Sequence, residues 1–414
     1  MTRDDINLMA PVGSYESLTA AIQGGADSVY FGAGRLNMRS RSSHNFGLDD
    51  LHAIVSTCLK HGVKTYLTVN TVVYDEEIEE MQNLVDTAKK EGISAIIASD
   101  MAVIRYCHKI NMEVHASTQL NISNVEAVRF FADYCDVMIT ARELNLAQVK
   151  RITETINKEN ITGPSGKPVK IEIFIHGALC MAISGKCYLS LHEFNKSANR
   201  GACYQTCRRA YEVTDKETGY KLEIDNEYIM SPKDLKTIDF LDEILDAGVR
   251  VLKIEGRARS PEYVKTVTET YNAALHAYFN KTWSENKLHQ WNDKLNMVFN
   301  RGFWNGYYLG QKMGEWSEKY GNKATTKKIY LGKGMNYFDK IQVADFLLEA
   351  GALKKGDNIL ITGPTTGVIE HTVDEIRVDD QFVETAPKQS RCSFKLNKQI
   401  RRSDKLYKIE RQPR

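Results

Sequence analysis

Proline is scarce in this 414-residue chain, with 8 residues, so no Pro-rich linker separates its parts. No apolar run approaches the roughly 18 residues of a membrane-crossing helix, and no membrane partner is expected. The start, Met1-Thr2-Arg3-Asp4-Asp5, carries two acids and leads into no signal-type apolar core; a cytoplasmic protein in a reducing compartment is expected. No Gly-rich dinucleotide fingerprint follows the first apolar run. H-E-x-x-H is missing, since the nearest string, His192-Glu193-Phe194-Asn195-Lys196, lacks the second histidine. G-x-S-x-G is missing too. Zinc-protease and serine-hydrolase chemistry therefore lack their usual signatures.

What is present is ordinary globular composition, with 42% hydrophobic and 26% charged residues. The length exceeds the roughly 250 residues of one α/β barrel, so more than one domain is expected. The net charge of +2 hides an asymmetry. Residues 323–414 hold 18 Lys/Arg against 12 Asp/Glu, and Lys388–Arg414 holds ten against two. Such a tail suits a polyanion partner, or is simply a solvated, fraying end.

Residues 1–260 repeat a short apolar run, a turn and a helical stretch. The runs are Asn7–Val12, Ser28–Ala33, Lys64–Val69, Ala95–Ser99, Glu113–Ser117, Asp136–Thr140, Lys170–Ile175 and Arg250–Glu255. Several helical stretches stop at glycine: Gly25, Gly62, Gly92 and Gly248. Eight alternating units predict an α/β fold, a (β/α)8 TIM-like barrel, with an open doubly wound sheet as the rival. About 75 residues separate the last two runs, so a cysteine-rich insertion at 178–235 follows strand 7. The expected organisation is a barrel over 1–280, a connecting segment over 281–325 and a small C-terminal β-barrel domain with a basic tail over 326–414. After Pro261 a helix is predicted to about Asn280. Beyond Lys327, short strands are predicted at Ile329–Leu331, Lys340–Val343, Asp357–Thr362, Val368–Val373 and Ser393–Leu396.

Four of the eight cysteines, Cys180, Cys187, Cys203 and Cys207, form a C-x6-C-x15-C-x3-C set. Clustered cysteines in a reducing compartment bind metal or do redox work more often than they form disulfides. Four thiolates suit a [4Fe–4S] cluster or zinc; the wide first gap fits a cluster held by separate loops better than a zinc knuckle. Arg200, Arg208 and Arg209 stand among them and suit phosphate or carboxylate. Cys58, Cys107, Cys135 and Cys392 read as core residues.

The string Glu172-Ile-Phe174-Ile-His-Gly177-Ala178-Leu179-Cys180, followed by Gly185-Lys-Cys187-Tyr-Leu189-Ser190, matches E-x-F-x2-G-[SA]-[LIVM]-C-x4-G-x-C-x-[LIVM]-S at every specified position. That is the signature of the U32 family, historically called collagenase-like peptidases, and the chain resembles it from about residue 8 to residue 310. Ala10–Gly13, His115–Gln119, Arg142–Leu144, Lys253–Arg257 and Asn300–Phe303 also look like family blocks. The resemblance implies either a peptidase or, as in other branches, an RNA hydroxylation protein with a four-iron cluster on these cysteines. The two-domain branch implies 5-hydroxyuridine formation at the tRNA wobble position with prephenate as cosubstrate. tRNA is then the partner, with a second U32-family subunit as a further one. A non-catalytic metal-cluster adaptor is the third reading.

In a (β/α)8 enzyme the chemistry gathers at the C-terminal ends of the strands. Those ends supply His115, His176 and Arg142 as catalytic candidates. Arg39, Arg41, Gln119, Glu143, Glu255 and Arg257 are candidates for substrate binding, with Asn70, Asp100 and Ser117 nearby. An arginine such as Arg142 would hold the donor's carboxylate, and His115 or His176 would serve as acid or base.

Overall fold

The computed structural model describes every residue except 42–44, 221–229, 312–313, 318–320 and 413–414. Part of the predicted cysteine-rich insertion, 221–229, thus lies outside the described residues. Seven parallel strands follow in order: β1 Asn7–Pro11, β2 Ser28–Phe31, β3 Lys64–Val69, β4 Ala95–Ala98, β5 Val114–Ala116, β6 Val137–Ile139 and β7 Lys170–Gly177. β8, Asp234–Lys236, runs antiparallel to β7, with His176 opposite Lys236. β9, Val251–Ile254, pairs in parallel with both β7 and β1. That double pairing closes an eight-stranded parallel barrel, and the open-sheet rival is excluded.

The outer layer follows from amphipathic helices with identifiable starts. These are α1 Tyr15–Gln23, α2 Asp50–Lys60, α3 Ile78–Lys90, α4 Met101–Lys109, α5 Val125–Ala132 and α6 Leu146–Glu159. Ser14, Asp100, Asn124 and Asn145 accept a backbone N–H one turn on, as helix-capping residues do. α7 Leu189–Phe194 lies in the insertion, and the short α8 Leu241–Asp246 precedes β9. α9, Pro261–Phe279, starts with proline in its first turn and packs on α1. Residues 281–325 fold back rather than merely connect. α10, Glu285–Met297, buries Trp291, and β10, Phe303–Trp304, pairs with β8.

The C-terminal part is antiparallel. It comprises β11 Thr326–Phe338, β12 Val343–Leu348, β13 Leu353–Lys354, β14 Asn358–Gly363, β15 Gly367–Thr372, β16 Arg377–Val378, β17 Gln381–Phe382, β18 Thr385–Ala386, β19 Arg391–Lys395 and β20 Lys405–Arg411. Eight of these form one sheet in the order β15-β14-β20-β11-β12-β19-β16-β17, over its own apolar core. The strand predicted at Lys340–Val343 is mostly a turn, because Gln342 adopts φ 51° and the strand begins only at Val343. Lys405–Arg411 of the basic tail is a strand and not a solvated end: β20 sits between β11 and β14, with Leu406 fully buried. Its alternation was hidden by long cations whose stems lie on the sheet while their charges reach outward, as Lys408 does towards Asp357 at 3.0 Å.

The sheet docks on the barrel. The Gln23 side-chain amide donates to Thr366 O and accepts from Val368 N, both at 2.9 Å, and Leu360 and Val368 join the barrel's core. Among the described residues no helix is long and apolar enough to cross a membrane. Leu406→Ala is expected to cost the C-terminal sheet about 2–5 kcal/mol. Hydrogen exchange should show faster exchange in β11 and β14, and unchanged protection there would return the tail to a solvated end.

Candidate active site

A cavity of about 160 Å³ opens at the C-terminal ends of the barrel strands, roofed by the insertion. Its wall carries Arg39, Arg142, Arg257, Lys253 and Glu255, with Asn70, Ser117 and Gln119 beside them. Arg39, Arg142, Arg257, Glu255, Gln119 and the four cysteines thus meet as the sequence proposed. Arg41 and Glu143 are exposed and do not line the cavity. Asp100 is used structurally, accepting from Ala102 N and from Val73 N.

Glu255 organises the cationic wall. It accepts from Arg39 Nη2 at 3.3 Å and from the Tyr30 hydroxyl at 3.1 Å. Burial would raise its pKa, but the charges of Arg39, Arg257 and Arg142 outweigh burial and hold it low. Arg257 donates to Thr68 Oγ1 at 2.8 Å and to Asn37 Oδ1 at 3.3 Å. Two glycines allow this crowding. A Cβ on Gly13 would stand 2.0 Å from Arg257 O, and one on Gly177, at φ 105°, 2.3 Å from Glu255 O. Arg142 stacks on Phe174 at 4.3 Å, and among the described residues its buried Nε–H has no hydrogen-bond partner. Cations outnumber carboxylates on this wall, and Arg142 keeps a donor unspent, so the cavity suits an anion.

On the other side, Asn70 Nδ2 donates to Ser117 Oγ at 3.3 Å, and Ser117 Oγ donates to Gln119 Oε1 at 2.5 Å. These amides and the hydroxyl suit a neutral polar ring edge. Lys253 and Tyr30 were not singled out from the sequence. Period-two alternation along β9 would have found Lys253, since it puts Val251, Lys253 and Glu255 inside and Leu252 and Ile254 against the helices.

Hydrogen bonds stitch the insertion over the mouth. Val72 N donates to Asn199 O at 3.1 Å, Asn121 Nδ2 to Ser184 O at 3.0 Å, and Arg41 N to Gly201 O at 3.3 Å. The three insertion arginines, expected to grip phosphate or carboxylate, are engaged within the fold. Arg200 pairs with Glu77, Arg208 donates to Pro232 O and Leu179 O, and Arg209 pairs with Glu193.

Cys180, Cys187, Cys203 and Cys207 all line the cavity and none is in a disulfide, whereas the other four cysteines are buried. Burial chiefly, with the neighbouring cysteines adding to it, raises the pKa of the Cys187 and Cys207 thiols. As a donor set they fit a four-thiolate centre. Among the described residues, however, no three His, Cys, Asp or Glu side chains converge to metal-binding distances.

Neither catalytic-candidate histidine faces the cavity. His115 is inside the barrel but one layer too low, opposite Ile97 and Val137 and packed on Tyr66. His176 shares parity with Glu172 and Phe174, yet the β7–β9 register shifts between Phe174 and His176. Such an irregularity re-aims a side chain. The ring packs among Phe303, Tyr271 and Tyr263 at 5.4, 5.6 and 6.0 Å.

The sequence profile of peptidase family U32 matches residues 13–318. The chain is 59% identical over 411 residues to a protein of Porphyromonas gingivalis named collagenase, covering 99% of each chain. It is 31% identical over 416 residues to tRNA hydroxylation protein P1 of Bacillus subtilis, covering 97% of this chain and 94% of that one. It is 36% identical over 273 residues to a 23S rRNA 5-hydroxycytidine synthase of Escherichia coli, covering 66% of this chain and 39% of that one.

Burial, aided by the charges of Lys236 and Arg259, pushes the His176 pKa down to about 3. In the unfolded chain this ring takes up a proton near 6.5. Its contribution to stability is therefore full above that value and is lost as pH falls towards 3. Between pH 7 and pH 5 the loss is about 2 kcal/mol. Denaturant unfolding at both pH values should show His176→Phe escaping that loss. An equal pH dependence in the variant would place a titrating imidazole elsewhere.

Proposed function

The chain belongs to peptidase family U32, and on that premise we propose that it hydroxylates RNA, converting a tRNA uridine to 5-hydroxyuridine. The carrying observation is a cationic cavity at the catalytic end of a parallel barrel, roofed by four free cysteines. Two relatives bear RNA-hydroxylation names.

Chemistry on C5 of a uracil requires the base to leave its stack. The amide–hydroxyl group of Asn70, Ser117 and Gln119 offers donors and acceptors to such a ring edge. Arg142, with its unpartnered Nε–H, would take the carboxylate of a prephenate-type cosubstrate, and Arg39, positioned by Glu255, a second anionic group. Cys180, Cys187, Cys203 and Cys207 would hold a [4Fe–4S] cluster, which when bound supplies one-electron chemistry. The β-sheet domain adds surface cations suited to the tRNA backbone.

Anaerobically purified protein should carry about four iron and four sulfide per chain. tRNA from cells lacking this chain should lose 5-hydroxyuridine by mass spectrometry. Cys→Ala at any of the four positions should remove both the iron and the modification. Normal 5-hydroxyuridine in two such variants would defeat the reading, and one zinc without sulfide would make the cysteines structural. Arg142→Met should leave the iron content intact and lower modification at limiting cosubstrate at least tenfold, recovering as cosubstrate is raised.

The 59% identity to a protein named collagenase favours a second reading, a peptidase. It would need a nucleophile beside a base. Among the described residues no cysteine hydrogen-bonds to a histidine, and His176 is walled off by aromatic rings. Cleavage of denatured collagen by wild type and not by Cys180→Ala would reverse this order.

A further inference from the structure

A buried line of ionisable groups runs from the cavity floor down the barrel interior. Lys253 lines the cavity, and its Nζ donates to Glu172 Oε1 at 2.7 Å. Glu172 Oε2 lies 3.7 Å from His115 Nδ1, and His115 Nε2 lies 3.2 Å from Glu113 Oε1. The side chains of Lys253, Glu172 and His115 are 6%, 2% and 2% exposed, whereas that of Glu113, just before β5, is 47% exposed. The line therefore begins in the cavity and ends in solvent at the opposite face of the barrel.

Stability gives no reason for it. Barrel interiors are ordinarily filled by branched apolar residues, and neighbours such as Ala95, Ile97, Val137 and Val251 follow that rule. Buried ion pairs are commonly no more stabilising than apolar residues of similar volume. His115 Nδ1 is also buried with no hydrogen-bond partner among the described residues. The gap to Glu172 is a link that a small carboxylate movement closes.

We propose that Glu113, His115, Glu172 and Lys253 form a proton relay that carries protons from solvent at the lower face of the barrel to the reacting group in the cavity. The relay rests on the cavity being the reaction site. Lys253 Nζ gives a proton to the reacting group and recovers one through the Glu172 carboxylate, which takes it from His115 Nδ1–H. A flip of the imidazole then turns its bare nitrogen to Glu113, which hands on a proton taken from water. One proton moves from solvent to cavity; no electrons move and no bond between heavy atoms changes.

The surroundings suit this. Burial would lower the His115 pKa, but the hydrogen bond to Glu113 and the charges of Glu172 and Glu113 outweigh burial and raise it, so the ring is ready to donate. Glu172 stays ionised because Lys253 and His115 outweigh its burial. The other groups facing the line are Tyr66, whose ring lies 4.5 Å from that of His115, and Lys64 and Lys170, whose charges act on Glu113.

The test has two arms on the full chain. Histidine-labelled protein gives the His115 titration by NMR. Glu113→Gln, a surface change that spares the core, should lower its midpoint, and Lys253→Met should raise it by leaving Glu172 to His115 alone. A His115 signal indifferent to both variants would overturn the relay. In the second arm, single-turnover hydroxylation of unmodified tRNA is timed in light and heavy water. Lys253→Met should slow it about 10²-fold or more, and Glu113→Gln roughly tenfold with a larger solvent isotope effect. Wild-type rates in both variants would overturn the relay as well. Wild-type protein that never hydroxylates RNA would sink the RNA reading instead, and the histidine titration would still decide the relay.

Discussion

The pairing of β9 with both β7 and β1 is the constraint on which everything else depends. It closes the barrel, and it carries Lys253, Glu255 and Arg257 across from residues far earlier in the chain. Lys253 reaches Glu172, Glu255 reaches Arg39 and Tyr30, and Arg257 reaches Thr68. No side chain larger than hydrogen fits at Gly13 or Gly177, because the backbone of 255–257 passes too close. The family-like run Lys253-Ile-Glu-Gly-Arg257 is thus at once closing strand and cavity wall.

The insertion completes the site without supplying its free charge. Arg208 and Arg209 hold the insertion's own course, and Arg200, Asn121, Arg41 and Val72 tie it across the barrel mouth. Its contribution to the cavity is the four cysteines and small polar segments such as Ser184-Gly185. The cations on the cavity wall, Arg39, Arg142, Lys253 and Arg257, come from the barrel. A cationic wall from the barrel thus faces a roof that carries four thiols.

The C-terminal sheet is tied to the outer helices on the side of α1 and α9. Gln23 bridges to it like a strand partner, and Lys328 pairs with Glu262 of α9 at 2.8 Å. Such a docked sheet holds its cations in fixed positions relative to the barrel, which suits a large, rigid polyanion better than a flexible tail would.

Periodicity carried the fold. Eight apolar runs separated by amphipathic stretches specify parallel strands, each covered by the helix that follows, and the pairing of β9 with β1 and β7 decided for the barrel over the open sheet. The cysteine spacing and the strand-end polar residues marked one cavity, and Arg39, Gln119, Arg142, Glu255 and Arg257 do meet there. Other features were out of reach, for identifiable reasons. A one-residue register shift turned His176 towards α9, His115 lies two residues before the cavity-lining Ser117 that follows its strand, and capping consumed Asp100. Lys405–Arg411 reads as a charged tail until its neighbours β11 and β14 are known. By itself the sequence determined the strands of the barrel, the helices between them and that a thiol-rich segment interrupts them, since these follow from local periodicity and chemistry. Only the tertiary structure decided which polar side chains face the cavity, which are spent on each other and which line up through the barrel, because those depend on register and layer.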